Sequence, residues 1–148
     1  MNNNFSTGQI GEEIACSYLI NHGFKVLERN FRRPWGELDI IARSKDTTLV
    51  FIEVKAMKFN APRVAQIGKS GQNLNGVTGI LPEDNMTISK LRKTKKIAAM
   101  YANDNPKLID ATAGWRIDLI AISIFGTTNM PLTDLIKNCE IKHFENVE

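Results

Sequence analysis

Four ionisable residues occupy positions where apolar ones are expected, and together they have the makings of a hydrolytic metal site. The third predicted strand reads Leu49-Val50-Phe51-Ile52-Glu53-Val54-Lys55, an apolar run suited to burial on both faces. Two charges at i and i+2 of such a run fall on one side, because strand side chains alternate with a period of two. Asp39 sits in the preceding predicted strand, with a turn signal at Ser44-Lys45-Asp46 between them. Pairing the two strands as a hairpin brings Asp39 alongside Glu53 at one end of a sheet. Close carboxylates raise each other's pKa, and a divalent cation relieves that repulsion. Oxygen ligands with open water positions suit Mg2+ (or Mn2+) better than zinc. Lys55, on the face of Glu53, can hold a water beside the ion. A metal cradle, a water activator and a cation for developing phosphate charge are the parts that phosphodiester hydrolysis requires. An inert buried ion-pair network fits the same residues.

Glu12 extends the set. At about 100° per residue along a helix, Glu13 falls with Ser17 and Asn21 on the polar side. Glu12 falls among Ala15, Cys16 and Leu19. A carboxylate aimed at the core is costly unless it is paired, hydrogen-bonded or metal-bound; a buried pair with Arg116 is the alternative to a metal. Glu37 shares the predicted face of Asp39 and is a secondary candidate, as a further ligand or a supporting partner.

The elements that must position these residues follow from periodicity and punctuation. Thr7 to His22 reads as a helix, capped by Ser6 or Thr7 and stopped by Gly23. Strands are expected at Phe24–Asn30, Glu37–Arg43 and Thr48–Met57, with a turn at Arg32-Arg33-Pro34-Trp35-Gly36. A long loop is expected at 58–87, with a short helical piece near Val64. A helix follows at Ile88–Asn103, a strand at Trp115–Ile124 and an edge strand at Glu140–Phe144. Helix, three strands, helix, strand predicts one domain over 1–148, an α/β sandwich with a mixed sheet.

Composition sets the outer bounds. The chain has 148 residues, 43% apolar and 24% charged, ordinary values for a globular protein. No apolar stretch reaches the roughly 18 residues of a spanning helix, and Met1–Phe5 does not read as a secretion signal. A cytoplasmic protein without a membrane role is the expectation. Cys16 and Cys139 stand apart without metal-ligand spacing and read as reduced thiols in or near the core. The net charge is only +3, but its distribution is uneven. From Asn85 to Asn103 there is no acidic residue, while Lys90, Arg92, Lys93, Lys95 and Lys96 are basic. Arg29, Arg32 and Arg33 form a second group. Lys90, Arg92, Lys93, Lys96, Arg32 and Arg33 are therefore candidates for contact with a phosphate backbone, against the alternative of a solvated face. Lys90 shares a helix face with Ile97 and Tyr101 and is the one expected to reach the site. Arg116 and Asp118 share a strand face and read as a structural ion pair. Trp35 either anchors its turn or stacks on an unpaired base.

Leu38-Asp39 followed by Glu53-Val54-Lys55 is the PD-(D/E)XK pattern. Around it stand Gly8, Gly11, Glu12, Ala15, Tyr18 and Leu19, then Arg29-Asn30-Phe31-Arg32 and Gly36-Glu37-Leu38-Asp39-Ile40-Ile41-Ala42. Lys90, Ala98 and Tyr101, Arg116-Ile117-Asp118 and Ile141-Lys142-His143 complete the match. In these features the chain resembles the YraN family of bacterial endonuclease-like proteins over most of its length. The resemblance implies a restriction-endonuclease-like α/β/α sandwich, related to archaeal Holliday-junction resolvases. It implies a first-helix acid, at the position of Glu12, joining Asp39, Glu53 and Lys55. Where the superfamily pattern has proline before the aspartate, this chain has Leu38. The segment 58–87 is longer than the family's usual connection. The combined expectation is a magnesium-dependent endonuclease acting on DNA, branched or junction DNA in particular. A junction-cutting role would also require a two-fold homodimer. The alternatives are a nucleic-acid-binding module that keeps the fold without turnover, and an interaction protein whose carboxylates form a structural network.

Overall fold

The computed structural model describes residues 5–59, 81–126 and 130–148. Helix α1 (Thr7–Asn21) starts where Ser6 and Gln9 cap each other: Ser6 Oγ accepts the Gln9 N–H at 3.2 Å and Gln9 Oε1 accepts the Ser6 N–H at 2.9 Å. It ends at His22, with Gly23 at φ +84° turning the chain into the sheet. Strand β1 (Lys25–Arg33) and β2 (Gly36–Arg43) form a hairpin closed by the Arg33–Gly36 pair, with Pro34 and Trp35 as its tip. Strand β3 (Leu49–Phe59) pairs antiparallel with β2 and parallel with β4 (Trp115–Phe125). Between them in sequence, α2 (Ile88–Asp104) crosses one face, its first turn capped by Thr87 Oγ1 accepting the Lys90 N–H. A short helix α3 (Leu132–Lys137) leads into the antiparallel edge strand β5 (Cys139–Phe144). The mixed sheet runs β1-β2-β3-β4-β5.

Alternation along the strands divides the core in two. Ile40, Ala42, Val50, Ile52, Ile120, Ile122 and Ile124 face α1, packing on Ile14, Ala15 and Leu19. Ile41, Leu49, Phe51 and Ile117 face α2, packing on Ile97, Ala98 and Tyr101. Each fully buried aliphatic contributes about 1.5–3 kcal/mol. The result is an α/β/α layering consistent with a restriction-endonuclease-like sandwich. Cys16 and Cys139 are both buried, in the α1-side core where the sequence suggests them.

Several boundaries move. Strands β1 and β3 run further than expected, to Arg33 and Phe59, so Lys58 and Phe59 of the expected 58–87 loop belong to β3. Pro82–Asn85 of that segment forms a 3-10 turn; residues 60–80, where a short helical piece near Val64 is expected, lie outside the described residues. Helix α3 was not expected, since six residues carry too little periodicity to register. The largest correction concerns β2. Regular alternation would put Glu37, Asp39 and Ile41 on one face, yet Leu38 packs with Ile41 against α2. The alternation breaks at Asp39. Opposite it in register, Asn30 takes φ +53°, a left-handed conformation that asparagine tolerates better than most residues.

The C-terminal end is fixed by Asp118, a fully buried carboxylate on β4. It accepts hydrogen bonds from Arg116 Nε at 2.9 Å and Nη2 at 3.2 Å, and from the Asn146 N–H at 2.9 Å. His143 Nε2 on β5 lies 2.8 Å from its second oxygen. Burial pushes this carboxyl up, but hydrogen bonds from His143, Arg116 and Asn146 outweigh burial and hold it below the usual range. The expected Arg116–Asp118 pair is present, and Arg116 is not a partner of Glu12.

Helix α1 approaches β3 at Gly11. A Cβ there would lie 2.5 Å from Ala56 Cβ, closer than two carbons can pack. Gly11→Ala should therefore destabilise by about 1–3 kcal/mol through overpacking, and Ala56→Gly in the same chain should restore much of the loss. Denaturant melts of the single and double variants measure this; an additive double variant would refute the contact.

Candidate active site

The pairing of β2 with β3 runs from Arg43–Leu49 to Ile40–Ile52 and stops there. At the next position the two strands part. The Asp39 side chain takes over from the backbone ladder, its Oδ2 accepting the Val54 N–H at 2.8 Å. The sequence-based hairpin is thus correct in its pairing, but Asp39 reaches across to β3 with its carboxylate instead of standing in register beside Glu53.

On β3, Glu53 and Lys55 point to the α2 side, as their spacing with Leu49 and Phe51 predicts. Glu53 is 4% exposed, and its Oε1 meets Lys55 Nζ at 2.7 Å and Lys90 Nζ at 3.0 Å. Lys55 is 14% exposed at its side chain and Lys90 44%, so one ammonium is enclosed and the other opens towards water. Burial pulls the Lys90 ammonium down, but hydrogen bonding with Lys55 and Glu53 and the charges of Glu53 and Asp39 outweigh it and raise its pKa.

Asp39 carries the electrostatic strain of the site. Withdrawal of its carboxyl from water and the charge of Glu53 push it up to about 7. The Val54 N–H and the Lys55 charge oppose that rise, and Glu12 adds to it. Glu12 is half-buried on α1, carried to the sheet by the Gly11–Ala56 contact, and joins the others through its charge. Glu13 points away and pairs with Arg29 at 2.7 Å.

Glu12, Asp39 and Glu53 do not form a tight ligand trio. Among the described residues, the grouping with ligand atoms all within 4.8 Å of one another is Asp118, His143 and Glu145. That one is poorly suited to a cation, because the Asp118 oxygens already accept bonds from Arg116, Asn146 and His143. The Asp39–Glu53 pair suits a hard cation better: its donors are carboxylate oxygens, its mutual repulsion is unrelieved at Asp39, and Glu53 leans onto two flexible lysines. Asp39 and Glu53, with Glu12 nearby, are the residues that could hold magnesium or manganese.

The remaining candidates are spread outward from this centre. Arg92, Lys93 and Lys96 are exposed on α2, and Arg32 and Arg33 are exposed at the end of β1. Lys95 pairs with Glu148 at 3.4 Å. Glu37 is exposed and faces Arg32 at 3.6 Å, away from the carboxylate pair. Sequence reasoning missed two contributors. One is the Val54 N–H, a backbone group without any residue signature. The other is Asn30, whose signal was an asparagine inside an otherwise strand-like run. Tyr101 and Ala98 belong to the core, Tyr101 donating to Glu28 at 2.8 Å.

Comparison with known proteins gives the lineage. The model of the uncharacterised protein family UPF0102 matches residues 11–122, a span that contains the parting of β2 from β3, all of α2 and α1 from Gly11 onward. The chain belongs to UPF0102. A UPF0102 protein of Caldicellulosiruptor bescii is 34% identical over 131 residues, covering 88% of this chain and 93% of that protein. One from Fervidobacterium nodosum is 34% identical over 144 residues, covering 94% and 79%. One from Syntrophus aciditrophicus is 33% identical, covering 84% and 81%. UPF0102 is the YraN family, so the resemblance read from the motifs is the true lineage. The names of these relatives carry the family label and no activity.

The raised Asp39 pKa has a definite sign. An unfolded aspartate ionises near 3.9, so between about pH 4 and 7 the folded chain holds a proton that the unfolded chain has lost. Stability from this group is full below that window and falls as pH rises through it. Asp39→Asn keeps an oxygen for the Val54 N–H and abolishes the fall. In thermal melts without divalent ions, the variant should match the wild type near pH 4, at the lower edge of the window, and exceed it by several degrees near pH 8. A variant that melts lower at both values would refute the assignment.

Proposed function

We propose that this UPF0102 protein is a magnesium-dependent endonuclease acting on DNA, branched or otherwise structured DNA in particular. The observation that carries this reading is the Asp39–Glu53 pair, two carboxylates held at the open end of a sheet with a half-buried lysine beside them. A fold under no functional constraint would replace such a pair with apolar residues, often at no cost in stability. Asp39 and Glu53, helped by Glu12, would hold magnesium or manganese; when bound, such an ion lowers the pKa of a water and stabilises charge on phosphate. Lys55, enclosed beside Glu53, orients the attacking water through its ammonium protons and supplies positive charge to the developing phosphorane. Lys90, more open, meets the scissile phosphate. Arg92, Lys93 and Lys96 on α2, with Arg32 and Arg33 on the hairpin, hold the neighbouring phosphates. No described helix is long and apolar enough to cross a membrane. Symmetric cleavage of a junction would need a two-fold dimer.

A second reading rests on the double clamp of Lys55 and Lys90 on Glu53, which already neutralises part of the site. In that reading the chain binds nucleic acid and does not cut it.

Linear, nicked and four-way-junction DNA, each incubated with magnesium or manganese, tests the choice. Cleavage of at least one substrate is expected, and Lys55→Ala should lower its rate by about 10²–10⁴-fold while DNA binding persists. Binding should weaken steeply with salt as counterions are retained. No cleavage of any substrate, with a magnesium-induced rise in melting temperature still present, would leave the binding module.

A further inference from the structure

The β1–β2 hairpin ends in an indole that the fold does not use. Trp35 is 54% exposed at the tip. The apolar contacts that seat this hairpin come from elsewhere: Phe31 packs edge-on against Tyr101, and Leu38 lies in the α2-side core. Gly36 presses on α2, its missing Cβ only 2.2 Å from Ile97 Cδ1. Trp35 therefore does not anchor its turn, and a large apolar ring is left in water where a two-residue loop needs none.

Its surroundings are cationic. Arg33 lies with its guanidinium 4.2 Å from the centre of the Phe31 ring and donates from Nη1 to the Arg32 carbonyl at 2.8 Å, so its charge is held in place. Arg32 shares its charge with Glu37, the acidic group at this tip. Through the Gly36–Ile97 contact the tip adjoins the α2 face bearing the exposed Lys93 and Lys96. An exposed aromatic ring set among fixed cations repels a second copy of the same surface and suits a polyanion that carries flat rings. Lys90, Lys93 and Ile97 follow one another along α2 at intervals of three and four residues, so the hairpin tip and the Glu53-bound lysine belong to one side of that helix.

We propose that Trp35 is the stacking platform for an unpaired DNA base beside the phosphates held along α2, and that it gives the protein its preference for DNA with single-stranded elements over plain duplex. This deepens the reading above and rests on it for the identity of the ligand. Phosphate contacts along α2 bind any DNA; the indole adds affinity only where a base is free to leave the stack.

The test is binding without divalent ions, so that no turnover intervenes. Affinities of wild type, Trp35→Ala and Trp35→Phe are measured by fluorescence anisotropy for a plain duplex and for the same duplex with splayed thymidine arms. Trp35→Ala should weaken forked-DNA binding by roughly 5- to 100-fold, the equivalent of one lost base stack, with duplex affinity unchanged. Trp35→Phe should recover most of the loss. Oligothymidine should quench the intrinsic fluorescence of the wild type and not that of Trp35→Phe, because Trp115 packs against Phe51. Equal losses on both DNAs, or none on either, would overturn the proposal. So would sedimentation showing that Trp35→Ala turns a dimer into a monomer, which would assign the indole to a second copy. Fork binding that depends on Trp35, without cleavage of any DNA, defeats the nuclease reading alone. Cleavage together with fork affinity indifferent to Trp35 defeats this inference alone.

Discussion

The hydrogen bond from the Val54 N–H to Asp39 Oδ2 is the joint on which the candidate site turns. A strand that leaves its neighbour abandons backbone donors, and each one left unpaired in a buried place costs about 1–3 kcal/mol. Here a side chain supplies the missing acceptor, so β2 can diverge while β3 continues straight along β4. The divergence opens the wedge into which Glu53 and Lys55 project. Asp39 is thereby committed twice, as a replacement for the ladder and as a member of the carboxylate pair. Asn30, left-handed across from it, lets β1 follow the same bend.

Two closely packed layers hold that wedge in place. α1 meets β3 at Gly11 and delivers Glu12 to one side; α2 lies across Ile97, Ala98 and Tyr101 and delivers Lys90 to the other. The charged groups come from elements fixed by apolar packing along their length, and none of them rests on a loop. The site's unfavourable electrostatics are small against what the two cores contribute. The Asp118 network performs a different task, tying β5 and the terminal residues to β4 through charge pairs that are nearly all satisfied internally.

Much of this was legible in the chain before any coordinates. The period of two put Glu53 and Lys55 on the face of Phe51, and the period of 3.6 put Lys90 on the face of Ile97, as observed; Glu12, expected among Ala15, Cys16 and Leu19, is half-buried at the border of that face. Those inferences succeed because they depend only on regular local geometry. The face assigned to Glu37 and Asp39 failed for the matching reason: it assumed regularity through the residue where the strand breaks. A backbone donor such as Val54 has no sequence signature, and the tightness of Gly11 on Ala56 appears only once the helix lies on the sheet. Helix α3 is too short to show a pattern.

The parallel pairing of β3 with β4 has a bearing on how the chain is made. Strand β3 is complete at Phe59, but its inner partner begins at Trp115. At about 5–20 residues per second, the ribosome needs several seconds to supply that partner. Throughout that interval the apolar segment Leu49–Ile52 has one rim of amides and carbonyls unmatched, the kind of edge that recruits foreign strands. The charges at Glu53 and Lys55 end that apolar run, the placement by which charged residues discourage strand-to-strand association of an unfinished chain.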